Sequence, residues 1–196
     1  LYLRGNKLTD ISALAGLTQL KDLVIEDNQL SDLSPLAKLI QLEGINLTQQ
    51  NGQLTDITPL AVLPQLMRLS LQYNSRIDMN AFKSGFKNLQ ELYVHKNSLS
   101  DISALAGLKQ LTRLGLDNNQ ITDLKPLSGL TNLKRLNLAN NKITDLTPLQ
   151  TPAMEGLTEL NLSNNPGLTK AEIDRFMKAM PYNAFQRTIT LIHNAK

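Results

Sequence analysis

Seven aspartates, Asp10, Asp32, Asp56, Asp78, Asp101, Asp123 and Asp145, return every 22 to 24 residues along the chain. Carboxylates stacked at that interval would offer a column of hard oxygen donors, the chemistry that calcium takes. Six of the seven, however, follow directly on Thr or Ser, as in Thr9-Asp10, Ser31-Asp32 and Thr144-Asp145. Short polar side chains in such pairs serve the ends of turns by accepting backbone N–H groups. Capping is therefore the expected role, and no metal is expected.

Acid–base and nucleophilic chemistry has equally little to draw on. His95 and His193 are the two histidines, and the repeat spacing sets them several turns of structure apart. With no Cys there is no thiolate nucleophile, no thiolate zinc site and no disulfide framework. Neither a serine elbow, a glycine-rich phosphate loop nor a metal-spaced histidine pair occurs. The expectation is a non-enzymatic chain with no catalytic residues and no cofactor.

The aspartates belong to a longer pattern whose most regular copy is Leu133 to Leu149, LKRLNLANNKITDLTPL. Two alternating apolar residues precede an Asn: Leu1, Leu3, Asn6; Leu23, Ile25, Asn28; Ile45, Leu47, Gln50; Leu69, Leu71, Asn74; Leu92, Val94, Asn97. The series goes on through Leu114, Leu116, Asn119; Leu136, Leu138, Asn141; Leu160, Leu162, Asn165; and a last strand-like copy at Ile189, Leu191, Asn194. An apolar residue at every second position makes a short strand with one face inward. The Asn turns the chain and satisfies backbone groups left without a partner in the bend. Ser34-Pro35, Thr58-Pro59 and Thr147-Pro148 then read as a hydroxyl N-cap followed by Pro at the first helical position. Only about one turn fits before the next strand, so short 3₁₀ segments are expected.

One such unit cannot bury its leucines, whereas stacked units bury them in a continuous column. Leu fills about one position in five, Trp is absent and aromatics are 4% of the chain, as repeated stacking of one medium-sized side chain requires. The predicted fold is a single α/β solenoid over residues 1–196 with about eight repeats. It curves as a right-handed superhelix, with a parallel sheet on the concave face and 3₁₀ turns on the convex face.

Three units depart from the period. TQQNGQLTDI adds two residues and puts Gln50 at the Asn position, with Asn51-Gly52 reading as a tight turn. In SRIDMNAFKSGF, Phe82 and Phe86 stand where leucines would lie on the convex side. Residues 169–196 form an atypical last repeat: Ile173, Phe176, Met177 and Met180 fall at helical spacing, Pro181 stops the helix, and a final strand follows. Leu1 begins inside a repeat, so the chain is expected to be a fragment of a longer polypeptide with an apolar column end to cover.

Net charge is +3, from 20 basic and 17 acidic residues, without a basic run that could track a phosphate backbone. Nucleic acid is not an expected partner. No run of 18 apolar residues occurs, so no membrane insertion is expected.

Units such as LTNLKRLNLANNKITDLTPL and LKQLTRLGLDNNQITDLKPLSGL resemble the 22-residue leucine-rich repeats of bacterial internalin-like proteins. The D-[IL]-x-P-L signature at Asp32 to Leu36, Asp56 to Leu60, Asp123 to Leu127 and Asp145 to Leu149 carries the resemblance to that subgroup. It covers nearly all of residues 1–168, and the helical N-terminal cap and immunoglobulin-like region of the family are not seen in the sequence. The resemblance implies binding of a protein partner, of unknown identity, on the concave face of a secreted or cell-surface adhesin or effector. Two alternatives stay open: a cytosolic regulatory subunit of the phosphatase-regulator type docking on an enzyme, and a carbohydrate or cell-wall binder.

Strand residues that flank the inward leucines are free of the repeat's demands and point to the concave side. Across the central units they bring together Arg68, Gln72, Tyr73, Glu91, Tyr93, His95, Arg113, Asp117 and Arg135, the expected partner-binding patch. Tyr and Arg are the residue types that most often carry binding energy at interfaces.

Overall fold

Alternation of leucines produces strands of three residues each. The computed structural model describes residues 1–151, 154 and 156–179. Within them the strands are β1 (Asp22–Val24), β2 (Gly44–Asn46), β3 (Arg68–Ser70), β4 (Glu91–Tyr93), β5 (Arg113–Gly115), β6 (Arg135–Asn137) and β7 (Glu159–Asn161). They pair in parallel and in sequence order in one open sheet, β1 to β7. A bridge between Tyr2 and Val24 adds an earlier rung ahead of β1. Leu23, Ile45, Leu69, Leu92, Leu114, Leu136 and Leu160 form one inward row across the sheet, and all are at most 3% exposed. Each fully buried leucine of this kind contributes on the order of 1.5–3 kcal/mol relative to exposure.

On the convex side each unit closes with the expected short 3₁₀ segment, such as Ser34–Lys38, Thr58–Leu60, Ser103–Gly107 and Thr147–Leu149. Leu36, Leu60, Leu105, Leu127 and Leu149 project from these segments into the core. In the irregular fourth unit Phe82 takes that place, and Phe86 packs on it with ring centroids 4.8 Å apart. Both are buried, so the two phenylalanines do replace leucines.

The hydroxyl residue is not the cap, contrary to expectation. Ser34, Thr58 and Thr147 already lie inside their 3₁₀ segments. The capping acceptor is the aspartate two residues earlier: the N–H groups of Ser12, Ser34, Thr58, Ser103, Lys125 and Thr147 donate to Asp10, Asp32, Asp56, Asp101, Asp123 and Asp145 at 2.7–2.8 Å. A carboxylate is the stronger acceptor for a backbone N–H, which is why Asp recurs there while the residue two places on varies.

The turn out of each strand is held by the asparagine series, which is buried throughout the interior rungs. Asn119 is typical. Its Oδ1 accepts the N–H groups of Asn97 and Leu99, and its Nδ2 donates to the carbonyls of Leu116 and Val94. One amide therefore satisfies its own strand end and the neighbouring rung. Gln50 does the same with a longer side chain, accepting from Leu30 and donating to the Ile25 carbonyl. The insertion after it closes as a tight turn, Gln53 N–H donating to the Gln50 carbonyl, with Asn51 and Gly52 both at positive φ. A turn with two left-handed central residues favours Asn-Gly.

The last described element is α1 (Lys170–Ala179), which takes the place of a convex turn. Thr169 caps it, its Oγ1 accepting the Glu172 N–H. Ile173 and Phe176 are buried as expected, but Met177 is 38% exposed and lies at the edge of the apolar face. Polar contacts also fasten the helix: Glu172 accepts the Leu146 N–H at 2.9 Å, and Arg175 reaches Asp145 and Thr147. Met180, Pro181, His193 and the strand expected at Ile189 to Asn194 lie outside the described residues.

Asn119→Ala takes the partner from two backbone donors, the N–H groups of Asn97 and Leu99, while the Leu116 and Val94 carbonyls keep Asn141 and Asn97. It is expected to lower stability by about 2–4 kcal/mol, since each orphaned buried group costs roughly 1–3 kcal/mol; urea unfolding checks this.

The caps predict a pH response. The Asp32 and Asp101 carboxyls are held below their ordinary value by the backbone N–H and then the hydroxyl of Ser34 and Ser103. Asp145 is lowered too, by the hydroxyl and then the backbone N–H of Thr147. A depressed folded-state value stabilises the fold above the unfolded value and ceases to do so as pH falls through the folded one. The melting temperature should hold steady from neutral pH to about pH 5 and decline below about pH 4. Replacing the three aspartates by Asn, itself a capping residue, should flatten that acid decline in thermal melts.

Candidate partner-binding face

The register of the sheet fixes three solvent-facing columns. The first is Asp22, Gly44, Arg68, Glu91, Arg113, Arg135 and Glu159, and the second includes Val24, Asn46, Ser70, Tyr93, Gly115, Asn137 and Asn161. The third, one residue past the next inward position, holds Glu26, Thr48, Gln72, His95, Asp117, Ala139 and Ser163. Every residue expected in the patch lies on these columns or, for Tyr73, on the turn just beyond.

The patch is narrower than its residue list. Arg113 Nη1 meets Glu91 Oε1 at 2.5 Å, and the Tyr93 hydroxyl donates to the other oxygen of Glu91 at 3.1 Å. His95 Nδ1 stands 3.7 Å from Asp117, and the His95 ring meets Tyr73 edge-on with centroids 6.3 Å apart. Tyr73, Glu91, Tyr93, His95, Arg113 and Asp117 thus form one connected group. The other three turn outward. Arg68 crosses over Gly44 to Asp22 at 2.7 Å, Gln72 accepts from Thr48 on the preceding rung, and Arg135 pairs with Glu159 at 3.1 Å.

Because Arg113 leans to Glu91 and Arg135 leans the other way to Glu159, the first column opens between them. Gly115, in the second column, adds no side chain there. The result is a hollow of about 320 Å³ bordered by Tyr93, His95, Arg113, Asp117, Arg135 and Asn137, with Leu114 and Leu136 in its floor. That is the lower end of the size range for ligand pockets. Asn137 and Asn161, which also line it, were outside the expected patch, as was Gly115. A missing side chain beside Tyr93 in register was the available signal.

Gly115 also positions the tyrosine. A Cβ built on it would stand 2.9 Å from Tyr93 Cδ1, so the Tyr93 ring lies down against the glycine. Burial there, together with the Glu91 carboxylate, pushes the Tyr93 phenol above its ordinary value. Burial lowers the His95 imidazole, opposed by Asp117 and reinforced by Lys96. Asp117 is not idle: it accepts from Asn137 at 2.9 Å and Asn118 at 2.6 Å.

Among the described residues no group of three or more His, Asp or Glu is placed to hold a metal, and no helix is long and apolar enough to cross a membrane. The face presents aromatic rings, guanidinium groups and amides beside the Glu91 and Asp117 carboxylates and the His95 imidazole.

Gly115→Ala is expected to lift the Tyr93 ring and release it from Glu91. An ultraviolet-monitored alkaline titration should then show one tyrosine moving down toward the ordinary phenol value of about 10. A curve that superimposes on that of the parent chain would show that the glycine does not set the ring.

The sequence matches the family described as leucine-rich repeats (two copies) over residues 1–38, 19–62, 87–129, 109–151 and 131–175. No curated protein matches it by sequence. Among solved structures, internalin C2 of Listeria monocytogenes is 35% identical with a TM-score of 0.73, the alignment covering 82% of this chain and 69% of that one. An internalin, InlF, of the same organism is 30% identical at a TM-score of 0.59, over 94% of this chain and 66% of its own. A leucine-rich repeat protein of Leptospira interrogans, 22% identical at a TM-score of 0.59 over 96% of this chain and 59% of its own, shares the fold. Repeat pattern, sheet and family match agree: the chain belongs to the leucine-rich repeat family and is a bacterial internalin-like member of it.

Proposed function

We propose that the chain is a non-enzymatic module that binds a protein partner on the concave strand face, centred on Tyr93 and Arg113. We further propose that it works outside the bacterial cell, as a secreted or surface-attached adhesin or effector. An internalin-like leucine-rich solenoid is in general a protein-interaction scaffold. The observation that carries the finer reading is the connected group around the hollow. Its ion pairs are partly exposed, and pairs of that kind add only about 0–1 kcal/mol to stability. The fold does not need them. They do hold two large side chains in fixed positions, which lowers the entropy lost when a partner docks.

The test compares the parent chain with the Tyr93→Ala/Arg113→Ala double variant. The circular-dichroism melt should stay nearly unchanged, because both side chains lie outside the leucine column. Affinity for a partner recovered by cross-linking to the immobilised chain should weaken by at least about 30-fold, the loss of one interface hot spot. Undiminished affinity in the double variant would remove the patch from the interface. Recovery of a glycan or a cytosolic enzyme in place of an extracellular protein would overturn the assignment of partner or compartment.

A further inference from the structure

One backbone position in each rung, just before the buried amide, is left-handed. It is occupied by Gly5, Asp27, Gln49, Tyr73, Lys96, Asn118, Asn140 and Asn164, with φ between 55° and 71°. Gly, Asn and Asp adopt that conformation with little strain; a bulky side chain there is an outlier. Tyr73 and Lys96, on adjacent rungs, are the bulkiest occupants. The N–H at this position reaches the next rung's carbonyl at 2.8–3.0 Å from Gly5, Asp27, Gln49, Asn118 and Asn140, but at 3.3 Å from Tyr73 and 3.2 Å from Lys96.

Core packing does not compensate. Tyr73 is 45% exposed and Lys96 is exposed, so neither fills the core. Lys96 also differs from the arginines of the strand face. Arg4, Arg68, Arg113 and Arg135 each hold a carboxylate. The Lys96 ammonium instead donates to the Tyr73 hydroxyl at 2.6 Å and sits 4.7 Å over its ring. Long side chains kept in a costly backbone conformation without burial in the core, held by each other and by the edge of the His95 ring, are the kind of strained feature that clusters at binding sites.

We propose that Tyr73 and Lys96 form the anchor of the binding face and take up a carboxylate-bearing segment of the partner protein. This rests on the reading of the chain as a protein-binding module and names the chemistry of its partner. The phenol oxygen accepts from the ammonium, so the phenol hydrogen is free to donate outward, beside the remaining N–H groups of Lys96. Two donors set side by side match the two oxygens of an Asp or Glu carboxylate, and such hydrogen bonds are the stronger ones. The edge-on His95 ring, its Nδ1 turned to Asp117, backs the tyrosine.

The experiment has two arms. In thermal melts, Tyr73→Asn and Lys96→Asn should each raise the melting temperature by about 2–4 °C, since Asn tolerates the left-handed backbone. A fall in both variants would show the two side chains to be structural and overturn the proposal. In the second arm, a random peptide library displayed on phage is selected against the intact chain, and the enriched peptides are synthesised. They should carry Asp or Glu, and should lose at least tenfold in affinity on Lys96→Asn, on Tyr73→Asn, or when the acid becomes its amide. The losses from Lys96→Asn and from the amide peptide should not add, because both remove one contact. Peptides that depend on Tyr93 and Arg113 but ignore Lys96→Asn would overturn the anchor and leave the proposed function standing. Peptides indifferent to every strand-face variant would overturn both.

Discussion

The buried side-chain amide at the end of each strand is the contact on which the rest of the solenoid depends. A strand of three residues has too few ladder hydrogen bonds to hold its own ends, and the chain must turn immediately after it. The bend leaves N–H and C=O groups facing inward, where water cannot reach them. Asn141 shows the solution: it donates to Leu138 and Ala139 on its own rung and to Leu116 on the rung before, and accepts from Ile121. The amide is at once a turn and a spacer between rungs. Apolar burial supplies most of the stability, but a leucine column alone would tolerate slips in register. Donors and acceptors that must meet across each rung do not.

This constraint explains what was legible in the sequence. Leu136, Leu138 and Asn141 could be read as strand, core and bend because each role admits few residue types and the period repeats them. The columns of the strand face followed from the same period, and the observed register reproduces them residue for residue. Asp123 and Asp145 were legible as caps. That the aspartate and not the hydroxyl caps at Asp145 was not, because Thr147 two places on is also a common capping residue; the carboxylate wins as the stronger acceptor. At α1, Ile173 and Phe176 were read correctly, whereas Met177 was not. Helical spacing alone does not say how wide the buried stripe is, and Glu172 and Arg175 fasten part of that surface with polar contacts.

Less of the candidate site was legible, for a physical reason. A column assigns a side chain to a face but not a direction along it. Arg68 and Arg113 share the first column, yet one reaches back two rungs and the other one. The difference lies in their neighbours: Gly44 leaves a lane across which Arg68 extends to Asp22, and a Cβ there would meet both groups. Gly115 does the corresponding thing for Tyr93. Glycines in strands are usually weak points. Here they decide which long side chains lie flat and where the face opens, information carried by pairs of positions about 22 residues apart rather than by single residues.

The paired charges bear on how a partner meets this face. Four arginines are answered by Glu26, Asp22, Glu91 and Glu159, and Asp117 is held by asparagines. Opposite charges a few ångströms apart cancel at distances beyond roughly 8–10 Å, the screening length at physiological salt. A face of this kind attracts little from afar, so on the proposed reading its discrimination would operate at contact. On the proposed reading, shape around the hollow and the few donors with hydrogens to spare would then carry the selection. Lys96 and Tyr73 are such donors, set on the one backbone position where the repeat would relax by having something smaller. The regular rungs hold the geometry; at Tyr73 and Lys96 a strained backbone carries long side chains that present unspent hydrogen-bonding capacity to the outside.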